Sequence, residues 1–144
     1  MSYDLMVFRK EAAPKNEKDF MEWYSKQAEW TEDHGYDDPS NTSDQLKNWF
    51  MEMKETFPAL NGPFASTDPN VENLTDYTIG KDVIYAAFAS TQAGLAYKKM
   101  IELAEKYKLG FFDTWTGDIL IPTESGKLES IKKSEKEKKA WWKF

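Results

Sequence analysis

Residues 77–122 read YTIGKDVIYAAFASTQAGLAYKKMIELAEKYKLGFFDTWTGDILIP. This stretch carries most of the information about the fold. A short strand at its start meets a turn at Gly80, and a strand rich in β-branched and aromatic residues begins at Val83. An amphipathic helix follows, and a second pair of strands ends at Pro122. The stretch therefore predicts a ββαββ unit.

The boundaries within this unit follow from single residues. Ser90 or Thr91 is expected to cap the helix, because a side-chain oxygen can accept a hydrogen bond from the first helical turn. Gly110 is expected to end it in the left-handed conformation. The run from Thr116 to Asp118 contains a glycine between polar residues, which predicts a tight turn between the last two strands.

The N-terminal residues predict a strand that is apolar on both faces. Leu5 and Val7 point to one side, whereas Met6 and Phe8 point to the other. This pattern is typical of a central strand covered on two sides, or of a strand with one covered side and an aromatic-rich exposed face.

Two helices are predicted between this strand and the ββαββ unit. Asn16 is a good N-cap for the first, and Thr42 with Gln45 has the spacing of a capping box for the second. Pro58 lies just past the second helix. The apolar positions at helical spacing are Phe20, Trp23, Tyr24 and Trp30 in the first helix and Leu46, Trp49, Phe50, Met53 and Phe57 in the second.

The predicted element order is β-α-α-β-β-α-β-β, which is an α+β chain. It matches the plan of a ferredoxin-like antiparallel sheet with helices on one face, in which the second helix is an insertion and the last strand extends the sheet edge. We expect one domain over residues 1–122. Residues 123–144 hold seven lysines and four glutamates and are expected to form a charged tail or exposed helix.

The end of this tail is apolar at Trp141, Trp142 and Phe144. We expect it to dock, either on the acidic body of its own chain or on a second copy, with capture of another protein as the alternative.

Composition narrows the class of protein. The chain has 144 residues, a net charge of −6, 15% aromatic residues and no cysteine. The acidic balance argues against nucleic-acid binding, and the lack of cysteine excludes disulfides and thiolate metal sites. No apolar run approaches the roughly 20 residues that span a bilayer, and no basic segment typical of a signal peptide precedes the first apolar run. We expect a cytoplasmic protein that binds no membrane and needs no cofactor.

The first candidate site is the acidic loop around His34, which is the sole histidine of the chain. Neighbouring carboxylates at Asp33 and Asp37 would raise the pKa of an imidazole and orient it, so His34 with Asp33 is a candidate acid–base pair. Asp33, His34 and Asp37 are also weak candidates for a metal site. The alternative is a polar turn whose acids precede a helix.

A second candidate is the loop from Asn61 to Tyr77, where Gly62 and Pro63 form a rigid turn. The favoured alternative is a loop anchor in which Phe64 fills the edge of the core, because Gly-Pro turns are generic.

A third candidate is an aromatic set beside these loops that could line a small-molecule pocket, namely Trp23, Tyr24, Trp30, Trp49, Phe50 and Tyr85. Helical spacing favours plain core for Trp23 and Phe50, whereas Trp30 fits either interpretation. The predicted ligand-binding residues are Trp30, His34, Asp37, Trp49, Asn61, Phe64, Asp76 and Tyr77.

The chain contains no phosphate-binding glycine loop, no GxSxG elbow, no HExxH and no dinucleotide fingerprint. A non-catalytic module that binds a protein or a small ligand is therefore expected, with a homodimer as an analogy to other paired sheets. The alternative is a small enzyme that uses His34 with its neighbouring carboxylates.

Several segments together resemble a family of small uncharacterised bacterial cytosolic proteins. The resemblance covers Ser2 to about Pro122 and implies a bacterial cytosolic setting. It assigns no role to any residue. The segments are SYDLMVF from Ser2, FMEWY from Phe20, WFMEM from Trp49, NGPF from Asn61, TDYTIG from Thr75, VIYAAFA from Val83 and GFFD from Gly110.

Overall fold

The structure is a computed structural model that describes residues 2–28, 38–68 and 73–131. Over these ranges the chain is α+β, with six antiparallel strands in one open sheet and three α-helices. None of the helices in these ranges is both long enough and apolar enough to cross a membrane. The elements are β1 (Ser2–Phe8), α1 (Glu17–Ala28), α2 (Asp44–Thr56), β2 (Asp76–Ile79), β3 (Val83–Ala89), α3 (Ala93–Lys106), β4 (Gly110–Asp113), β5 (Ile119–Pro122) and β6 (Leu128–Ser130).

The strands lie in the order β2-β3-β1-β4-β5-β6, and every neighbouring pair is antiparallel. β1 is therefore central, with Val7 opposite Ile84 of β3 on one side and Phe111 of β4 on the other. Apolar residues cover both faces of β1, as its sequence predicts.

The larger core lies between one face of the sheet and the helices α2 and α3. Leu5 and Val7 of β1 contribute to it from the sheet. The helices bury the apolar stripes that their periodicity predicts, and helix burial of this kind supplies most of the stability of short helices. The buried helical residues are Leu46, Trp49, Phe50 and Met53 in α2 and Ala96, Met100, Leu103 and Ala104 in α3.

Helix α1 lies on the opposite face of the sheet, so the expectation that all helices share one face is wrong. Phe20 of α1 packs with Phe8 of β1 and Phe112 of β4, with ring centroids 5.1 and 5.2 Å apart. Phe8 and Phe112 point away from the larger core because side chains alternate along a strand. A second, smaller cluster therefore forms under α1.

The helix caps follow the sequence in one case and shift by one residue in another. Asn16 caps α1 as predicted, since its Oδ1 accepts a hydrogen bond from the backbone N of Asp19 at 2.9 Å. The N-cap of α2 is Ser43 rather than Thr42, because the Ser43 Oγ accepts from Leu46 N. The Thr42 hydroxyl instead donates to the carbonyl of Lys81 at 3.1 Å.

Gly110 does not end α3 as the sequence suggested. The residue with positive φ after the helix is Lys108, and Gly110 is the first residue of β4. The start of α3 also differs: residues Ser90–Gln92 form a short 3₁₀ turn, and the α-helix begins at Ala93 without a side-chain cap.

The sheet continues beyond Pro122, where the sequence placed the end of the domain. β6 pairs with β5 through Pro122 opposite Leu128 and Leu120 opposite Ser130. Ile131 is buried in the cluster under α1. The first part of the expected tail therefore belongs to the sheet, whereas Trp141, Trp142 and Phe144 lie outside the described residues.

Candidate functional site

One end of the sheet face under α1 forms a groove. The helix covers Met6, Phe8 and Phe112, but the neighbouring ends of β1, β3 and β2 carry polar or small side chains on this face. These ends line an open groove with a volume of about 540 Å³. The lining residues are Asp4, Leu5, Tyr24, Gln27, Asp76, Thr78, Tyr85, Ala86, Ala87 and Thr114.

The floor of the groove contains two carboxylates in one row across three strands. Ala87 of β3 lies opposite Asp4 of β1 on one side and opposite Asp76 of β2 on the other. Directly paired residues point to the same face of a sheet, so both acids flank the small Ala87 side chain. Two inter-strand spacings separate their backbones by about 9.6 Å.

The last turn of α1 provides one wall of the groove through Tyr24 and Gln27. The Tyr24 ring packs edge-on against Phe112 at 4.9 Å and against Tyr85 at 6.1 Å between centroids. Burial, with a smaller contribution from the Asp4 carboxylate, raises the pKa of the Tyr24 phenol. At neutral pH this phenol is therefore a neutral hydrogen-bonding group.

Asn61 and Asp76, both predicted site residues, lie together at the edge of the groove. The Nδ2 amide of Asn61 donates to Oδ1 of Asp76 at 3.1 Å. The loop that carries Asn61 is tied to β2 next to this contact, since Leu60 N donates to the carbonyl of Thr75 at 2.9 Å. The loop therefore fixes one carboxylate of the floor.

Three other predicted ligand-binding residues lie on the opposite side of the sheet. Trp49 is fully buried in the larger core, and Tyr77 is 3% exposed with its hydroxyl donating to the carbonyl of Phe57 at 2.7 Å. Phe64 is 42% exposed and packs on Phe50 of α2. The structure therefore separates these aromatic residues from Asp76 rather than gathering them around one pocket.

The acidic-loop residues Trp30, Asp33, His34 and Asp37 lie outside the described residues. Their roles in ligand binding, acid–base chemistry or metal binding remain predictions from the sequence. The next residue, Asp38, is described: its Oδ1 accepts from Ser40 N at 2.9 Å and caps a 3₁₀ turn, Pro39–Asn41. Hydrogen bonds from the backbone and the side chain of Ser40 lower the pKa of Asp38.

A second polar cluster surrounds the buried Asp113 at the turn between β4 and β5. Its Oδ1 accepts from the backbone N of Trp115 at 2.8 Å and of Thr116 at 3.4 Å, and its Oδ2 accepts from the Tyr3 hydroxyl at 3.3 Å. Burial, together with this carboxylate, raises the pKa of Tyr3 to about 12. The bonds stabilise a turn that the sequence predicted, so we assign this cluster a structural role.

The groove residues that the sequence did not predict as site residues include Asp4, Gln27, Thr78, Ala86, Ala87 and Thr114. Strand alternation is the signal that could have indicated Asp4, which shares its face with Met6 and Phe8. A polar residue in that pattern marks the point beyond which no helix packs on the strand face. The pairing of β1 with β3, which places Asp4 beside Ala87, is not readable from either strand alone.

The chemistry available in the groove is ionic and hydrogen-bonding. Its described lining includes two carboxylates, two phenols, two threonines and one amide, with no Lys, Arg or His. Among residues 2–28, 38–68 and 73–131, no three His, Cys, Asp or Glu side chains gather as metal ligands would.

No family model, curated protein or solved structure matches this chain.

Proposed function

We propose that this chain is a non-catalytic binding module and that its ligand occupies the groove on the β1–β3–β2 face. The observation that carries the proposal is the row in which Asp4 and Asp76 flank Ala87. Pockets of a few hundred cubic ångströms with a few convergent polar groups are typical ligand sites.

The composition of the lining supports binding over turnover. Its polar groups can hold a ligand by ionic contacts and hydrogen bonds, and Tyr24 and Tyr85 supply rigid aromatic surface. The alternative, a small enzyme, depends on His34 and its neighbouring acids, which lie outside the described residues. The convergent ionic and hydrogen-bonding groups of the described lining are the support for the binding module.

The test is a fragment titration followed by amide shifts in ¹H–¹⁵N spectra. Primary amines, carboxylic acids, sugars and neutral alcohols are added separately to the full chain. We expect at least one class to shift the amides of Asp4, Thr78 and Ala87 saturably. The ¹H spectrum of the fragment should stay unchanged on long incubation, because the module does not turn its ligand over.

A groove-filling variant gives the matched control. Ala87→Phe places a ring between the two carboxylates at a half-buried strand position, where an aromatic residue is well tolerated. Leu95→Phe adds ring atoms at an exposed position of α3, which packs on the other side of the sheet. Binding should be lost in the first variant and kept in the second. Equal binding in both, or no shift of groove amides by any class, would contradict the proposal.

We also propose a ferredoxin-like arrangement for β1, α2, β2, β3, α3 and β4. The support is their strand order, β2-β3-β1-β4, with α2 and α3 on one face. In this arrangement α1, rather than α2, is the added helix, which differs from the insertion that the sequence suggested.

Association into a homodimer stays part of the proposal by analogy with other paired sheets. β2 and β6 end the sheet on its two sides and are the strands at which a second copy could pair. Sedimentation over a concentration series should show a concentration-dependent dimer. A monomer at every concentration would contradict the homodimer.

A bacterial cytosolic setting stays a prediction from the resemblance.

A further inference from the structure

We infer that the groove takes a small organic dication, a short linear diamine whose two ammonium groups contact Asp4 and Asp76. This inference rests on the proposed function, because it names the ligand class of the same groove. Asp4 and Asp76 belong to strands separated by β3, so they reach the floor from opposite sides of Ala87. A ligand with one cationic group at each end matches that arrangement.

Charge complementarity is the first argument for a dication. All the other described residues that line the groove with Asp4 and Asp76 are neutral. Asp76 accepts one hydrogen bond, from Asn61, and the Asp4 carboxylate accepts none from the side chains that the structure describes. Each carboxylate has several lone-pair positions, so both retain acceptor sites for an ammonium group.

The surface between the two acids suits a methylene chain. Ala87 contributes a single methyl group to the floor, and the rings of Tyr24 and Tyr85 stand beside it. Methylene groups pack on such surface, while ammonium groups are also attracted to the faces of aromatic rings. Thr78 and Thr114 line the groove on either side and can accept further ammonium protons.

A single metal ion fits the same row poorly. Ca²⁺, for example, binds six to eight oxygen ligands at about 2.3–2.6 Å. The described lining contributes two carboxylates, those of Asp4 and Asp76. No metal-like gathering of three acidic or histidine side chains occurs in the described part of the chain.

The test is a titration of the ¹⁵N-labelled full chain with diaminobutane at low ionic strength. Aminobutanol, which lacks one ammonium group, and butanediol, which lacks both, are the matched ligands. We expect saturable shifts at Asp4, Thr78 and Ala87 with diaminobutane. Loss of one ammonium group should weaken binding by about fivefold, the upper range for one exposed ion pair. Butanediol should produce no saturable shift.

Two protein variants assign the ammonium contacts. Asp4→Asn and Asp76→Asn remove charge while keeping size, and in the second variant the new amide oxygen could still accept from Asn61. Each should weaken diaminobutane binding by about fivefold. Asp118→Asn is the control, because Asp118 is exposed in the turn between β4 and β5. It removes the same charge and should leave the affinity unchanged apart from general charge effects, which salt suppresses.

The outcomes separate this inference from the proposed function. Diaminobutane binding that weakens in Asp4→Asn and Asp76→Asn but not in Asp118→Asn supports both. Groove shifts with carboxylic acids, sugars or alcohols but not with diamines would overturn the dication and leave the binding module standing. Equal affinity for diaminobutane and butanediol would also overturn the dication. No groove shift with any probe would overturn both.

Discussion

Gly110 of β4 lies directly opposite Phe8 of β1, and a Cβ placed on Gly110 would overlap the Phe8 ring. The approach is far inside van der Waals contact, so a larger residue would push the ring away from Phe20 and the cluster under α1. Gly110→Ala should therefore destabilise the protein by about 1–3 kcal/mol, as overpacking typically does. Guanidinium unfolding measures the change.

Gly94→Ala is the control for Gly110→Ala. Gly94 is exposed near the start of α3, and a Cβ there meets no atom within 4 Å. This substitution should stabilise the protein by about 0.5–1 kcal/mol, because alanine loses less backbone entropy in a helix. Equal losses of stability in both variants would contradict the close approach of Gly110 to Phe8.

The position of α1 predicts a large cost for Phe20→Ala. The Phe20 ring is fully buried between Phe8 and Phe112, so its removal leaves a cavity under the helix. The loss should be about 3–5 kcal/mol of unfolding free energy. The neighbouring Met21 is 39% exposed, and Met21→Ala should change stability by less than about 1 kcal/mol. Similar values for the two variants would mean that α1 does not bury this face.

Tyr77→Phe tests the buried side of β2. Its hydroxyl donates to the carbonyl of Phe57, so the variant leaves a buried acceptor unsatisfied and should cost about 1–3 kcal/mol. The Tyr107 hydroxyl donates to the part-buried Glu52 carboxylate, where water can replace it, and Tyr107→Phe should cost about 0.5–1.5 kcal/mol. Thermal or chemical unfolding compares the losses of stability in the two variants. A Tyr77→Phe variant as stable as the parent protein would contradict the buried hydrogen bond to Phe57.

The Tyr3–Asp113 contact predicts a dependence of stability on alkaline pH. The folded state raises the pKa of Tyr3 to about 12 through burial and the Asp113 carboxylate. The Tyr3 contribution to stability is therefore fully present below the unfolded pKa of about 10 and is lost as pH rises through about 12. The Tyr3 signal in ¹³C-tyrosine spectra can be assigned with Tyr3→Phe. Its chemical shift should still be that of the protonated phenol near pH 10. A midpoint at that pH would contradict the contact.

The helices were predictable because each carries a continuous apolar stripe. Asn16 also marked the start of α1, since its side chain bonds locally to Asp19, both to the backbone N and to the carboxylate. The choice between Thr42 and Ser43 was not predictable in the same way. Thr42 instead bonds to Lys81, a contact between residues 39 positions apart. Tertiary contacts of this kind override local capping patterns.

The face on which α1 packs could not be read from its own stripe. Periodicity shows that Phe20 will be buried but not on which side of the sheet. The hint lay in β1, where Met6 and Phe8 made the second face apolar. β6 was missed because three residues, Leu128–Ser130, at a sheet edge in a lysine-rich segment carry little strand signal.

The candidate site was only partly predictable for the same reason. Asn61 and Asp76 came from a loop composition typical of binding sites, and the structure joins them. Asp4 reaches the groove through the register of β1 against β3, which depends on pairing over more than 80 residues. Tyr77 and Asp76 are neighbours in sequence but lie on opposite faces, because strand side chains alternate.

The groove on the β1–β3–β2 face is the proposed binding site. The most direct test is an isotope-filtered NOE measurement on the complex with a fragment that binds saturably. We expect NOEs from the fragment to the Ala87 methyl and the Tyr85 ring, both of which line the groove. NOEs confined to side chains on the α2 and α3 side of the sheet, such as Phe64 or Leu95, would contradict the proposed binding site.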